Sequence, residues 1–324
     1  MFTYEPLTSA SNTGADLMRA WRERGSRPAL IWYGTPDGSD ERVELSGHVL
    51  VNWVSKTANH FQQEMFLNPG DALVLDLGAH WKTTVLAIAA WLRGITVLPG
   101  PGNRFGSHTA PEDRTRHAPC GEPHASGFAD TARKTPGSSF AEANLDSLNN
   151  QRLLSELAAE EMWQDIVVGA IATDRPDEVM ALPASALTDA EVIAVQTVGL
   201  TPAWPGPLPP LVHDWISEVR AMPDDLLDAP SDWVGPAPSA SASASASASA
   251  SASDGLSPGL RQAEPNQPLL WQGHIFDAVS QSSPQQPSIA DALRTWLSGS
   301  CVVASPRGLT ARQRADEQLP KLSS

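Results

Sequence analysis

Few residues in this chain have types and spacing that could do chemistry. His80 lies in a short loop, Leu77-Gly78-Ala79-His80, between an apolar run that ends at Leu77 and a helical pattern that begins at Trp81. Open α/β sheets gather ligands at the carboxyl ends of their strands, so Gly78, His80 and Trp81 form the candidate ligand-binding set. A structural reading of the same residues stands beside it: His80 caps the helix and Trp81 packs beneath it. A second group, His108, His117, Cys120 and His124, has zinc-ligating side chains. Its spacings match no standard pattern and it falls in a segment read as an insertion, so no metal is expected from it. Nucleophilic signatures are missing, with neither a Gly-x-Ser-x-Gly elbow nor a His-Glu-x-x-His helix. Gly100-Pro101-Gly102-Asn103-Arg104-Phe105-Gly106 only approximates a dinucleotide loop, because of its Pro and the lack of a following apolar helix. No catalytic residue is assigned.

The elements that position these residues are legible over 27–101. Pro28 to Tyr33 is a β-rich run closed by Gly34-Thr35-Pro36-Asp37-Gly38, and Arg42-Val43-Glu44-Leu45 alternates polar with apolar, which predicts a hairpin. Ser46 can cap the helix that follows, in which Leu50, Trp53, Val54, Thr57, Ala58, Phe61 and Met65 recur at helical spacing. Asn68-Pro69-Gly70-Asp71 ends that helix and leads into Ala72 to Leu77, almost wholly apolar, as suits a strand covered on both faces. Trp81 to Arg93 is helical by spacing, Gly94 is a C-terminal stop, and Ile95 to Pro99 is the next strand. Strand, helix and strand in this order predict a parallel pair.

These residues resemble a known family. Leu45-Ser46 opening a helix, Pro69-Gly70-Asp71 before a strand, Ala89-Ala90-Trp91 and Gly94 closing a helix, then Val97-Leu98-Pro99, look like the N-terminal region of the AMP-binding enzymes, the acyl-CoA synthetases and their relatives. With Asn52-Trp53-Val54, Lys56-Thr57-Ala58-Asn59 and His80-Trp81, the chain looks closest to an uncharacterised actinobacterial family that shares only this N-terminal part. Further along, Val167 to Ala170 and Val192 to Val195 read as strands, Leu211 to Arg220 resembles a segment of the same family, and Pro268 to Val303 gives strand, helix and strand. The resemblance implies ATP or AMP as the nucleotide. Yet the Ser/Thr/Gly-rich loop with its Lys, which holds ATP phosphates in those enzymes, is not found: no Lys lies between Asp228 and Gln272. Neither the acidic ribose-binding signature nor the mobile C-terminal domain is found, and Lys321 beside Pro320 is not taken for that domain's catalytic Lys.

Two functions follow as expectations. The first is a non-catalytic or degenerate relative of acyl-CoA synthetases, a pseudoenzyme scaffold that binds a small acyl or nucleotide ligand or another protein. The second is an ATP-dependent carboxylate-activating ligase with a divergent phosphate site or a partner chain.

Composition sets the frame. At 324 residues and 41% hydrophobic, the chain can bury a sizeable core. The formal charge of −15, with no basic cluster, repels nucleic acid and anionic membrane surfaces, so neither is an expected partner. Apolar runs stop short of the roughly 18 residues of a spanning helix, and the N-terminus Met-Phe-Thr-Tyr-Glu-Pro has no leader character. The expected location is cytoplasmic, with Cys120 and Cys301 as reduced thiols. The strict Ser-Ala alternation from Ser239 to Ser253 has nothing large to bury and reads as a flexible linker, the product of repeat expansion. The expected fold class is α/β, a three-layer sandwich with a mainly parallel sheet. It divides into an N-terminal βαβ part (1–100), an insertion (101–160), a continuation (161–234), the linker (235–265), a last strand, helix and strand (266–310) and a polar tail (311–324).

Overall fold

The computed structural model describes residues 13–34, 41–100, 167–182, 190–197, 201–238, 268–273, 275–276, 287–306 and 308–319. The insertion at 101–160, the Ser-Ala repeat, the His108, His117, Cys120 and His124 group, and Lys321 lie outside them. The fold class is α/β with mostly parallel strands, as expected, and the strands fall into two sheets.

The first sheet starts from the hairpin. β1 (Pro28–Tyr33) and β2 (Arg42–Ser46) pair antiparallel. Residues far along the chain complete the sheet: β8 (Leu269–Trp271) and β9 (Val302–Ala304) add on parallel, in the order β2-β1-β9-β8. The second sheet is entirely parallel, in the order β4-β3-β5-β6-β7, from β3 (Ala72–Asp76), β4 (Thr96–Pro99), β5 (Val168–Thr173), β6 (Glu191–Ala194) and β7 (Val212–Asp214).

Helices join the two sheets. The Ser46 hydroxyl accepts from the amide of Val49 and so caps α2 (Gly47–Gln63), whose Leu50, Val51, Val54, Ala58 and Phe61 are buried. α2 packs on β1 and β2 and against α3 (Trp81–Leu92), which in turn packs on β3 and β4. Every residue of α3 is buried, so that helix lies inside the core. Gly94 ends it with φ +71°, a left-handed conformation that glycine adopts without a Cβ penalty. α1 (Thr13–Arg24) buries Leu17, Met18 and Trp21 against α2 and against α6 (Ile289–Leu297), where the Trp21 and Trp296 rings meet edge-on at 5.5 Å. Two short helices, α4 (Pro176–Met180) and α5 (Trp215–Val219), follow β5 and β7.

Side chains of α2 also hold an irregular segment. The Lys56 ammonium donates to the carbonyls of Arg220 and Met222 and pairs with Asp224 at 2.9 Å. The Asn59 amide, fully buried, donates to the carbonyls of Pro223 and Asp225 and accepts from the amide of Leu227. Backbone groups that have no ladder to join thus find partners on a helix.

β1 is covered on both sides. Leu30 and Trp32 join the main core, whereas Ile31 and Tyr33 pack with Cys301, Val303 and Leu319 in a second cluster. The stretch read as a polar tail contains α7 (Ala311–Asp316), started by a capping box between Thr310 and Gln313. Beyond α7, Glu317 accepts from the Tyr33 hydroxyl at 2.5 Å and from Arg42 at 2.9 Å. Cys301 is a free thiol, pushed up to about 12 by burial. Among the described residues no helix is long and apolar enough to cross a membrane.

Gly47 marks the closest approach of α2 to α1: a Cβ there would lie 2.1 Å from the carbonyl oxygen of Trp21. Gly47→Ala is expected to lower stability by about 1–3 kcal/mol, because the backbone must move to admit the methyl group. Urea unfolding measures it; an unchanged midpoint would mean that the two helices stand further apart.

Candidate functional site

Because the second sheet is parallel, the carboxyl ends of its strands face one way, and His80 sits at the end of β3. It is the N-cap of α3, its Nδ1 accepting from the amide of Lys82 at 3.1 Å. The ring is buried between Trp32 and Trp81, with centroids at 5.2 and 5.7 Å. Burial pushes the imidazole down to about 3, and the Lys82 charge acts in the same direction. The neutral ring therefore carries its proton on Nε2, since Nδ1 accepts. That Nε2 is buried and has no hydrogen-bond partner.

Trp81 is fully buried beneath the loop, as the structural reading expected. It meets Trp53 edge-on at 5.7 Å and Trp215 at 6.4 Å, while Trp53 stacks on Trp215 at 5.6 Å. The indole nitrogens of Trp81 and Trp215 are also buried without partners. The half-buried Gly78 accepts from the Thr83 hydroxyl through its carbonyl at 2.8 Å. Gly78, His80 and Trp81 thus belong to one turn, with His80 in both the capping role and the position at the strand end.

Sequence reasoning missed Lys82, the one charged residue in a mostly apolar helix. Its side chain is buried, donates to the carbonyl of Gln196 just past β6, and lies 5.5 Å from the Trp81 ring. Burial lowers the amine to about 8, against the attraction of Glu41 and Asp214. Also missed was the pairing at the ends of β3 and β5. Asp76 accepts from the Thr173 hydroxyl at 2.9 Å and from Arg175 at 3.1 and 3.3 Å, and Arg175 also reaches Glu178 at 3.0 Å. Asp76, Arg175 and Glu178 are therefore committed to one another.

The two sheets meet at His80. Trp32, which touches it, is the second-last residue of β1, and Gly273, just past β8, closes on the same indole: a Cβ at Gly273 would come within 2.9 Å of the Trp32 ring. The carboxyl ends of strands from both sheets thus converge on one buried imidazole.

This architecture has known counterparts. The structure is similar to that of an acyl-CoA synthetase from Brucella canis, with a TM-score of 0.50 and 13% identity over 95% of this chain and 45% of that one. The likeness is one of fold. Acetoacetyl-CoA synthetase from Streptomyces lividans (TM-score 0.46, 15% identity, 91% of this chain and 38% of that one) and MatB from Rhodopseudomonas palustris (TM-score 0.47, 11% identity, 94% and 47%) score lower and add nothing to that statement. In sequence, a protein of Mycobacterium tuberculosis described as a TIGR03089 family protein is 32% identical over 91 residues, 28% of this chain and 37% of that protein. The chain therefore spans less than half the length of the proteins it matches, and an actinobacterial relative agrees with the resemblance read from the sequence. No protein-family profile matches.

The buried imidazole makes a pH prediction. His80 stays neutral in the folded chain down to about 3, whereas in the unfolded chain it protonates near its ordinary value of about 6.5. Between those values the unfolded state holds the extra proton, so stability falls as pH drops, by up to about 1.4 kcal/mol per pH unit, and is unaffected above the window. His80→Asn keeps a capping oxygen and does not titrate. From pH 7.5 to pH 4.5 the wild-type chain is expected to lose more of its unfolding midpoint than the variant; equal losses would contradict a buried neutral His80.

Proposed function

We propose that the chain is a non-catalytic relative of the acyl-CoA synthetases that binds a small acyl or nucleotide ligand where the strand ends converge on His80. The observation that carries this reading is the buried Nε2–H of His80, a donor without an acceptor at the carboxyl end of β3. Buried donors are rarely left unpaired, and a ligand carbonyl, carboxylate or phosphate oxygen would satisfy this one. Trp32 and Trp81 supply flat apolar walls on either side of the ring, and Gly78 gives the loop its smallest side chain.

The same edge argues against adenylation. A nucleotide triphosphate needs amides and free cations arranged around its phosphates. Here Arg175 is paired with Asp76 and Glu178, and Lys82 is buried on the Gln196 carbonyl. The residues described fit AMP or an acyl group better than a triphosphate. The free, buried Cys301 thiol suits the reducing cytoplasm. The second reading, an ATP-dependent ligase with a divergent phosphate site or a partner chain, draws on the fold likeness to the Brucella canis acyl-CoA synthetase.

Ligand-dependent unfolding separates these readings, because a ligand that binds only the folded state raises the midpoint, by about 2.7 kcal/mol at a hundredfold excess over its dissociation constant. A rise with AMP or an acyl-CoA, lost in His80→Asn, is the expected result. Pyrophosphate release from ATP and a carboxylate would establish the ligase instead. No rise with ATP-Mg, AMP or acyl-CoA would overturn small-ligand binding and leave a protein-binding scaffold.

A further inference from the structure

At β7, the edge strand of the second sheet, three side chains from three elements meet. His60 lies in the last turn of α2, His213 in β7, and Glu218 in α5. Nε2 of His60 and Nδ1 of His213 each lie 2.8 Å from the same oxygen, Oε2 of Glu218. One ligand atom from each residue falls within 4.8 Å of the others, and among the described residues this is the one group of such composition. We propose that His60, His213 and Glu218 form a site for a divalent transition-metal ion, with zinc the best match.

The donor set comes first. Two imidazoles and one carboxylate are a common zinc set, which leaves a fourth tetrahedral position for water. Donors about 2.1 Å from a tetrahedral ion stand about 3.4 Å apart, so each 2.8 Å contact has to open by only about half an ångström.

Surrounding groups aim the donors. The other oxygen of Glu218, Oε1, accepts from the amide of Asp214 at 3.1 Å, which turns Oε2 toward the imidazoles. On the far side of the His213 ring, Nε2 faces Oε2 of Glu191 at 3.4 Å. A carboxylate behind a histidine that offers its other nitrogen is the arrangement that orients ligating imidazoles in metal sites. The two ring nitrogens diverge, so Glu191 stands behind the ligand and is not itself one. His60 is fully buried, while the His213 and Glu218 side chains are 24% and 35% exposed, which leaves one side open for an ion and its water. Bound there, the ion would tie the end of α2 to β7 and α5. The site is independent of the ligand reading at His80.

The test uses the full chain, stripped with a chelator, desalted and titrated with zinc against a chromophoric competitor. One ion per chain, with a dissociation constant of about 1 μM or tighter, and a higher unfolding midpoint are expected. His213→Asn and Glu218→Gln should each weaken binding at least about tenfold, and Glu191→Gln by about tenfold. A His117→Asn, Cys120→Ser double variant should bind as the wild type does. No binding tighter than about 10 μM, unchanged affinity in His213→Asn and Glu218→Gln, or loss of binding in the double variant would each overturn the proposal. Cobalt(II) substitution in the wild-type chain guards against a variant that fails to fold: a spectrum without thiolate charge-transfer absorption is expected, and such absorption would place the ion on cysteine instead.

Discussion

The two sheets depend on one helix that must satisfy two kinds of neighbour. α2 gives its apolar residues to β1, β2 and the other helices, its His60 to Glu218 of α5, and its Lys56 and Asn59 to the segment that runs on from α5. That segment has neither ladder nor helical hydrogen bonds of its own beyond Val219. Its carbonyls would be costly to bury unpaired, and Asn59 is the group that pairs two of them. Position and polarity on α2 are therefore coupled. The apolar stripe places the helix on the first sheet, and the polar residues then decide where the chain leaving the second sheet can lie. Gly47 sets the distance, because no side chain fits between its Cα and the end of α1.

At the carboxyl edge the same economy of groups is visible. His80 starts α3 through Nδ1, faces Trp32 with its ring and keeps Nε2 buried. A residue that caps a helix is commonly exposed, since the first turn of most helices is solvated; here α3 is buried along its whole length, so the cap is buried with it. The low basicity of the imidazole follows from that depth. Asp76, Thr173 and Arg175 close the neighbouring strand ends into a hydrogen-bonded unit. Gly100 lies tight over Asp76: a Cβ there would come within 2.6 Å of the Asp76 Cα. Polar groups at this edge thus organise the loops, and among the described residues His80 combines a strand end, both sheets and an unpaired donor.

Much of this was legible in the sequence. The hairpin, the Ser46 cap, α2, β3, α3 and β4 follow from alternation, helical spacing and the stop at Gly94, since each signal is local. α1 was not read, because its buried face consists of only Leu17, Met18 and Trp21 among charged residues. α7 was read as polar tail although Thr310-x-x-Gln313 is a capping-box signal, because none of its residues is buried. The division into two sheets could not be read at all: β9 pairs with β1 across most of the chain, and periodicity carries no information on pairing at that range. His80 and Trp81 could be placed in the sequence because a strand end and a helix start are both local features. Lys82 was passed over since one charged residue scarcely disturbs an apolar helix. His60, His213 and Glu218 could not be grouped, because only the folded chain brings the end of α2 beside β7.

The place of β9 has a consequence for how the protein folds. β1 pairs with β2, its near neighbour in sequence, but its other edge pairs with Val302 to Ala304, far along the chain. Without β9, one edge of β1 would expose unpaired backbone, and the apolar faces that carry Leu30, Trp32, Ile31 and Tyr33 would lose cover. An open apolar strand edge invites pairing with other chains. Closure of the first sheet therefore waits on a contact between residues far apart in sequence, and any partly folded state that lacks β9 leaves this edge of β1 open to pairing with other chains.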